Sequence, residues 1–199
     1  TPIRRQRQMC IRDSYTISPD QIQKEKERFE KAIISTREEI LLIRNKVSKS
    51  LGEDEALIFD AHLMVLEDNA LITETVQHIE RNKQNVEYGF NLVVERYINF
   101  FKTIEDEYLR ERISDIKDVS RRVLNNLIGT ENNSIQSSKQ NRIIVSEDIT
   151  PSQAVGFDKN KLLGFITDTG GATSHFVIMS RSFKIPAVCL LYTSPSPRD

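Results

Sequence analysis

Cysteine is nearly absent: Cys10 and Cys189 stand at opposite extremes of the 199 residues. With no close spacing between them, they exclude a metal knuckle or a redox pair. No apolar run approaches the roughly 20 residues that a membrane-spanning helix needs. The start of the chain lacks the charged, apolar and small-residue succession of a secretory signal. No membrane association is expected, and the cytoplasm is the expected location. A basic excess is missing as well, since 28 Lys and Arg against 29 Asp and Glu give a formal net charge of −1. Without a basic stripe or interleaved aromatics, nucleic acid is not an expected partner, because phosphate neutralisation needs clustered Lys and Arg. What is present, 38% hydrophobic and 29% charged residues, is a globular composition rather than a disordered one. It suffices for one ordinary domain or two small ones.

Residues 4–14 (RRQRQMCIRDS) and 189–199 (CLLYTSPSPRD) each back-translate into one end of a common transposase-type sequencing adapter read through in frame. Segments 1–14 and 189–199 are therefore expected to be non-native, flanking an interior of 15–188. They hold both cysteines, which then say nothing about redox compartment. They also carry Arg4, Arg5, Arg7, Arg12 and Arg198 against only Asp13 and Asp199, so the interior is more acidic than the whole.

From Ser18 to about Ile128 the pattern is helical. Ser18-Pro19-Asp20 is a start signal, with serine as N-cap and proline at the first helical position, where its missing N–H costs nothing. Ile22, Phe29, Ile33, Ile40, Ile43 and Val47 recur at spacings of three, four or seven, which puts them on one helical face. Leu51-Gly52 ends that helix. A second is expected over 53–81, a third over 86–104, and a fourth over 107–128, closed by Gly129. Four long helices with short connections read as an up-and-down bundle. The polar, aperiodic stretch 130–141 (TENNSIQSSKQN) reads as a linker.

Beyond the linker the grammar changes. Arg142-Ile143-Ile144-Val145 suits a buried strand, Thr150-Pro151-Ser152 a helix start, and 162–167 (LLGFIT) a second strand. Gly170-Gly171, a short helix over 174–182 and Ile185-Pro186-Ala187-Val188 complete a βαβαβ order, cut off partway.

The informative string is Thr167-Asp168-Thr169-Gly170-Gly171-Ala172-Thr173-Ser174-His175. Two glycines after a strand let the backbone turn tightly and approach a ligand closely. Thr173 or Ser174 caps the next helix, whose free N–H groups favour an anion, and His175 falls in its first turn. A neutral imidazole, with an ordinary pKa near 6.5, attacks phosphorus without a separate base. As isolated pieces, one histidine and one Gly-Gly pair are more often structural than catalytic. The specificity lies in the whole string.

That string, continued by an apolar stretch, Arg181-Ser182 and Ile185-Pro186-Ala187-Val188, closely resembles the active-site segment of Enzyme I of the bacterial sugar phosphotransferase system. Segments 61–68 (AHLMVLED), 106–112 (DEYLRER), 118–129 and 163–168 (LGFITD) resemble the same family in the same order. The resemblance implies an α+β fold: a four-helix up-and-down bundle inserted into a small α/β phosphohistidine domain, truncated here. It divides the chain into a helical carrier-binding subdomain (15–129), a linker (130–141) and an incomplete α/β phosphohistidine subdomain (142–188). It also implies a phosphotransferase that takes a phosphoryl group from phosphoenolpyruvate onto His175, through Nε2, and passes it to a histidine-containing phosphocarrier protein.

Carried over residue by residue, the resemblance makes Gly170, Gly171, Thr173, Ser174 and Arg181 phosphate neighbours. For Arg181, a cation complementing the end of a short helix is an equally good reading. The sequence departs from the family at Ala172, where an Arg or another polar residue often stands, and at Ala154, where some relatives have Thr close to the histidine.

The second helix looks like a docking face. Glu53, Asp54, Asp60, Glu67 and Asp68 are acidic, and Leu57, Met64, Val65 and Leu71 supply apolar anchors; the resemblance adds His62, Leu109 and Arg112. Acidic residues steer a basic partner and apolar ones hold it, although charges alone are more often a solvated face. Phosphoenolpyruvate, magnesium and homodimerisation are assigned by the resemblance to a C-terminal barrel of the full-length enzyme. No metal site is expected within these residues.

Two rival readings remain at this point. One is the swivelling phosphohistidine domain of a pyruvate phosphate dikinase or phosphoenolpyruvate synthase type of enzyme. Those usually show Cys where Ser174 stands and lack a helical insertion like 18–128. The other is a non-catalytic helical interaction module with a structural α/β tail.

Overall fold

The structure, a computed structural model, describes residues 14–105, 107–129, 140–147, 149–168 and 175–189; of 107–111, 151, 152, 155, 159 and 175 it describes the backbone alone. Within these residues the chain forms two compact units, one of 14–42 with 59–129 and the other of 43–58 with 140–189. No helix among the described residues is long and apolar enough to cross a membrane.

The first helix begins where the sequence places its start. The Ser18 amide donates to Gln21 Oε1 at 2.9 Å, Pro19–Gln21 makes one 3-10 turn, and α1 follows over Ile22–Ser50. Phe29, Ile40 and Val47 of the expected face are buried, and Ile22, Ile33 and Ile43 are half-buried. Ala32 and Thr36 fill the same face, the Thr36 hydroxyl donating to the Ala32 carbonyl at 2.7 Å. The helix closes with Gly52 at φ +130°, a region that a side chain opposes.

The expected second helix is in fact two, α2 (Glu53–Leu66) and α3 (Asn69–Asn82). The divider is Asp68, which leaves helical geometry (φ −63°, ψ 111°) and caps α3. Its Oδ1 accepts from the Ala70 and Leu71 amides at 2.8 and 3.1 Å. Apolar periodicity runs across the break, so the pattern read as one helix; the capping aspartate was the local cue against it. Asp68→Ala is expected to cost about 1 kcal/mol of stability in urea unfolding. Asp68→Asn, which retains a capping oxygen, should cost much less.

Helices α4 (Val86–Lys102) and α5 (Glu107–Ile128) come next, as the sequence predicts. Phe59, Leu66, Ile79, Phe90, Val93, Val119 and Val123 are buried, with Phe90 and Phe29 rings 5.5 Å apart. At one end of this unit the extended segment Tyr15–Ile17 pairs with the α3–α4 turn, through Ile17 N–H to Lys83 O (2.8 Å) and Asn85 N–H to Tyr15 O (3.2 Å).

Beneath that turn lies a charged cluster. Arg28 donates to Glu25 Oε1 at 2.6 Å and to Glu87. Glu25 Oε2 accepts the Val86 amide at 2.9 Å, and Glu87 Oε2 accepts from Asn85 Nδ2 at 3.1 Å. Both glutamates are buried. Burial lowers the Arg28 pKa, but hydrogen bonds and charge from Glu25 and then Glu87 outweigh it, so the pKa rises and the guanidinium is permanently charged.

In the second unit β1 (Arg142–Ser146), α6 (Pro151–Gly156), β2 (Leu162–Thr167), α7 (His175–Ser182) and β3 (Ala187–Cys189) realise the expected βαβαβ order. The strands are all parallel, in the order β1-β2-β3, and Ser146, Thr167 and Cys189 lie side by side in register. Helix α6 starts with a capping box: Thr150 Oγ1 accepts the Gln153 amide (3.3 Å) and Gln153 Oε1 accepts the Thr150 amide (3.0 Å). Phe157, Leu162, Phe165, Phe176, Val177 and Ile185 form the core, joined by the partly buried Ile144, Ala187 and Cys189. Cys189, the first residue of the adapter-like tail, thus sits in the last position of β3.

Candidate functional site

Helix α7 is positioned by the side chains directly C-terminal to its first residue. Phe176 is buried and stands edge-on to Phe165 in the middle strand, with centroids 4.9 Å apart. Phe165 in turn packs on Phe157 at 5.7 Å. Val177, Met179 and Ser180 also face inward, and the Ser180 hydroxyl donates to the Phe176 carbonyl at 2.9 Å. At the far end Lys184 adopts φ +58° and the Ile185 amide donates to the Ser180 carbonyl at 2.9 Å. The helix is therefore held on its inner face and at its C-terminus, and the His175 backbone precedes the Phe176 anchor directly.

Residue 175 opens α7, where the first N–H groups of a helix have no partner within it and attract an anion. Strand β2 ends at Thr167, and the Asp168 amide donates to the Glu147 carbonyl at 3.2 Å. Ligands of parallel α/β units gather at these carboxyl ends of the strands. Gly170, Gly171, Thr173 and Ser174 lie outside the described residues, as do Ala172 and the His175 side chain. Arg181 falls in the last turn of α7 and is exposed, about 9 Å along the axis from His175 at 1.5 Å per residue. That is a place where a cation complements the helix end. Ala154 is buried in the core of this unit.

The expected docking residues divide. On α2, Leu57 and Met64 are 57% and 65% exposed and seven residues apart, hence on one face. Val65 and Arg112 are half-buried, and Glu53, Asp54 and Asp68 are exposed. Glu53 is tied back by the Ser48 hydroxyl (2.5 Å) and Arg44 (3.2 Å), and Asp68 is engaged as a cap. The Leu109 side chain lies outside the described residues.

Two others are corrected: His62 and Leu71 are buried and present no surface to a partner. His62 Nε2 lies 3.3 Å from Asp115 Oδ1 and its Nδ1 3.8 Å from Asp118 Oδ2, with its ring edge-on to Phe59 at 5.4 Å. Both aspartates are buried on the facing side of α5. Sequence reasoning missed this trio because Asp115 and Asp118, one turn apart, look like a solvated helix face. Among the described residues no group of three or more His, Cys, Asp or Glu side chains could hold a metal ion.

A helical bundle with a small parallel α/β unit whose last helix opens on a histidine defines the class as that of the PEP-utilising enzymes. The description "PEP-utilising enzyme, N-terminal" matches residues 3–112, and "PEP-utilising enzyme, mobile domain" matches 138–194. Among curated proteins, the phosphoenolpyruvate-protein phosphotransferase of Listeria monocytogenes is 42% identical over 84% of this chain and 29% of its own length. That of Enterococcus faecalis is 41% identical over 81% of this chain and 28% of its own length. An NMR solution structure of Enzyme I matches 90% of this chain and 72% of its own, with TM-score 0.73 and 36% identity. The N-terminal domain of the nitrogen Enzyme 1, at 23% identity and TM-score 0.63 over 90% of this chain and 73% of its own, shares the fold. The chain belongs to the phosphoenolpyruvate-protein phosphotransferase family, and it spans about 29% of the length of the curated relatives it matches.

Proposed function

We propose that His175 is a phosphoryl acceptor that takes its group from phosphoenolpyruvate in the whole enzyme and passes it to a histidine-containing phosphocarrier protein in the cytoplasm. The observation that supports this best is that α7 opens on His175, inside the segment matched as the mobile domain, with Phe176 seated on Phe165. In the forward step Nε2 attacks phosphorus, a P–N bond forms, and the P–O bond of the enol ester breaks. The enolate then takes a proton and becomes pyruvate. In the second step the carrier's ring nitrogen attacks the same phosphorus and the His175 P–N bond breaks. Such transfer depends on positioning and on neutralising the equatorial oxygens. The helix start and the amides of Gly170 and Gly171 supply that neutralisation, with the hydroxyls of Thr173 and Ser174.

In this reading residues 15–129 receive the carrier, 130–141 link, and 142–188 hold the phosphohistidine. The carrier lands on the exposed face of α2, with Leu57 and Met64 as anchors and Glu53 and Asp54 steering. Phosphoenolpyruvate and magnesium act in a part of the enzyme that these residues do not span, where the homodimer also forms; no step given to this chain uses the metal.

Mixing the chain with phosphorylated carrier is expected to place an acid-labile, base-stable phosphate on His175, located by mass spectrometry. Phosphoenolpyruvate with magnesium alone should place none. Label at another residue would overturn the reading. Met64→Glu, on an exposed position, should weaken carrier binding by about tenfold or more in calorimetry while leaving the melting temperature unchanged.

A further inference from the structure

We propose that Glu55 and Ser182 form a positioning contact for the helix that begins with His175, an inference that rests on His175 being the phosphoryl acceptor. Ser182 closes α7 at the end opposite His175. Its hydroxyl donates to Glu55 Oε1 at 3.1 Å, and both side chains are half-buried. Glu55 stands in the first turn of α2, and residues 43–58 belong to the same compact unit as α7. The contact therefore lies inside one unit, between segments 127 residues apart in sequence.

The placement of the glutamate is costly on one side and favourable on the other. A carboxylate is repelled by the negative end of α7 and attracted by the positive end of α2. The Ser182 O–H donates to one of its oxygens and holds it between them. Gly52 leaves room for this: a Cβ built on it would come within 3.2 Å of Glu55 Oε2. The turn before α2 is fixed as well, since Glu53 is held by Ser48 and Arg44 from the end of α1. Glu55 thus projects from a braced corner.

Helix α7 spans eight residues, about 12 Å, and the packing of Phe176, Val177 and Met179 that holds its inner face is non-directional, so a hydrogen bond adds a restraint along the axis. A tether at Ser182 supplies that restraint, and a shift at one end of a short rigid helix reappears at the other. Because in-line transfer requires near-attack geometry, a misplacement of about 1 Å can cost on the order of 100-fold in rate. The same first turn carries the acidic residues proposed to meet the carrier, so docking and presentation of His175 share one structural corner.

The test uses the 199-residue chain and phosphorylated carrier in single-turnover transfer. Glu55→Ala and Ser182→Ala are each expected to lower the rate at saturating carrier by about tenfold or more, with half-saturation unchanged within about twofold. The double variant should be no worse than either single one, as for partners in one interaction. Glu55→Gln, whose amide oxygen still accepts from Ser182, should restore most of the rate. Additive losses, a change confined to half-saturation, or wild-type rates in both singles would each overturn the proposal. Wild-type chain that takes no phosphate from carrier would instead defeat the acceptor reading. The tether is then judged by amide hydrogen exchange over 179–181, the amides bonded within α7, expected to quicken at least about tenfold in Ser182→Ala with the melting temperature of the bundle unchanged. Unchanged exchange sinks it.

Discussion

Alanine at position 175 is expected to leave the chain with no acid-labile phosphate after mixing with phosphorylated carrier, while carrier binding measured by calorimetry stays at its wild-type value. The chain holds three histidines, and the other two are occupied or enclosed. His62 is buried between Asp115 and Asp118. His78 Nδ1 accepts from Asn82 Nδ2 at 2.9 Å, and its Nε2 is bonded to Gln84 Oε1 at 2.8 Å. Neither residue opens a helix, as His175 does. The fold should survive the change, since Phe176, Met179 and Ser180 hold α7 without residue 175. Far-UV circular dichroism and the melting temperature should therefore match wild type. Persistent label in His175→Ala would move the acceptor to His78.

Removal of Arg28 should have the largest effect on stability. Arg28→Ala leaves Glu25 and Glu87 buried with no cation between them, and breaking a buried ion pair from one side costs about 3–5 kcal/mol. The lower end is expected, about 3 kcal/mol, because the Arg28 side chain is 32% exposed and part of its interaction is screened by water. Arg28→Lys should fall between, since an ammonium cannot fork to two carboxylates as a guanidinium does. Urea unfolding at neutral pH measures the series. A loss below about 0.5 kcal/mol for Arg28→Ala would mean that the cluster is not stabilising. The consequence reaches the extended segment at 15–17, because Asn85, which meets it, is held by Glu87, and the adjacent Val86 amide by Glu25.

The legible part of the molecule was the part written in local pattern. Ser18-Pro19, Leu51-Gly52 and Thr150-Pro151 mark boundaries because caps, proline and positive φ act within a few residues. The β-branched run 142–145 and the apolar run 162–167 became β1 and β2, but β1 is not the buried strand expected: it lies at the sheet edge, with Ile143 and Val145 54% and 70% exposed. The diglycine string identified His175 as the candidate acceptor because turn, cap and nucleophile are consecutive. Apart from the helix break at Asp68, whose cue was local, the missed features were long-range. Arg28 and Glu87 are 59 residues apart, and His62 and Asp115 are 53 apart. Each of these charges taken alone looks like part of a wet helix face.

The succession of helical and βαβαβ parts, the helix starts other than that of α3, and the histidine string were thus determined by the sequence itself, because each arises from backbone preferences and side-chain polarity over one or two turns. The tertiary structure decided which charges go inside, that His62 and Leu71 are enclosed while Leu57 and Met64 remain at the surface, and that Ser182 meets Glu55. Burial and pairing belong to two segments at once, and a pattern along one segment records only its own half of them.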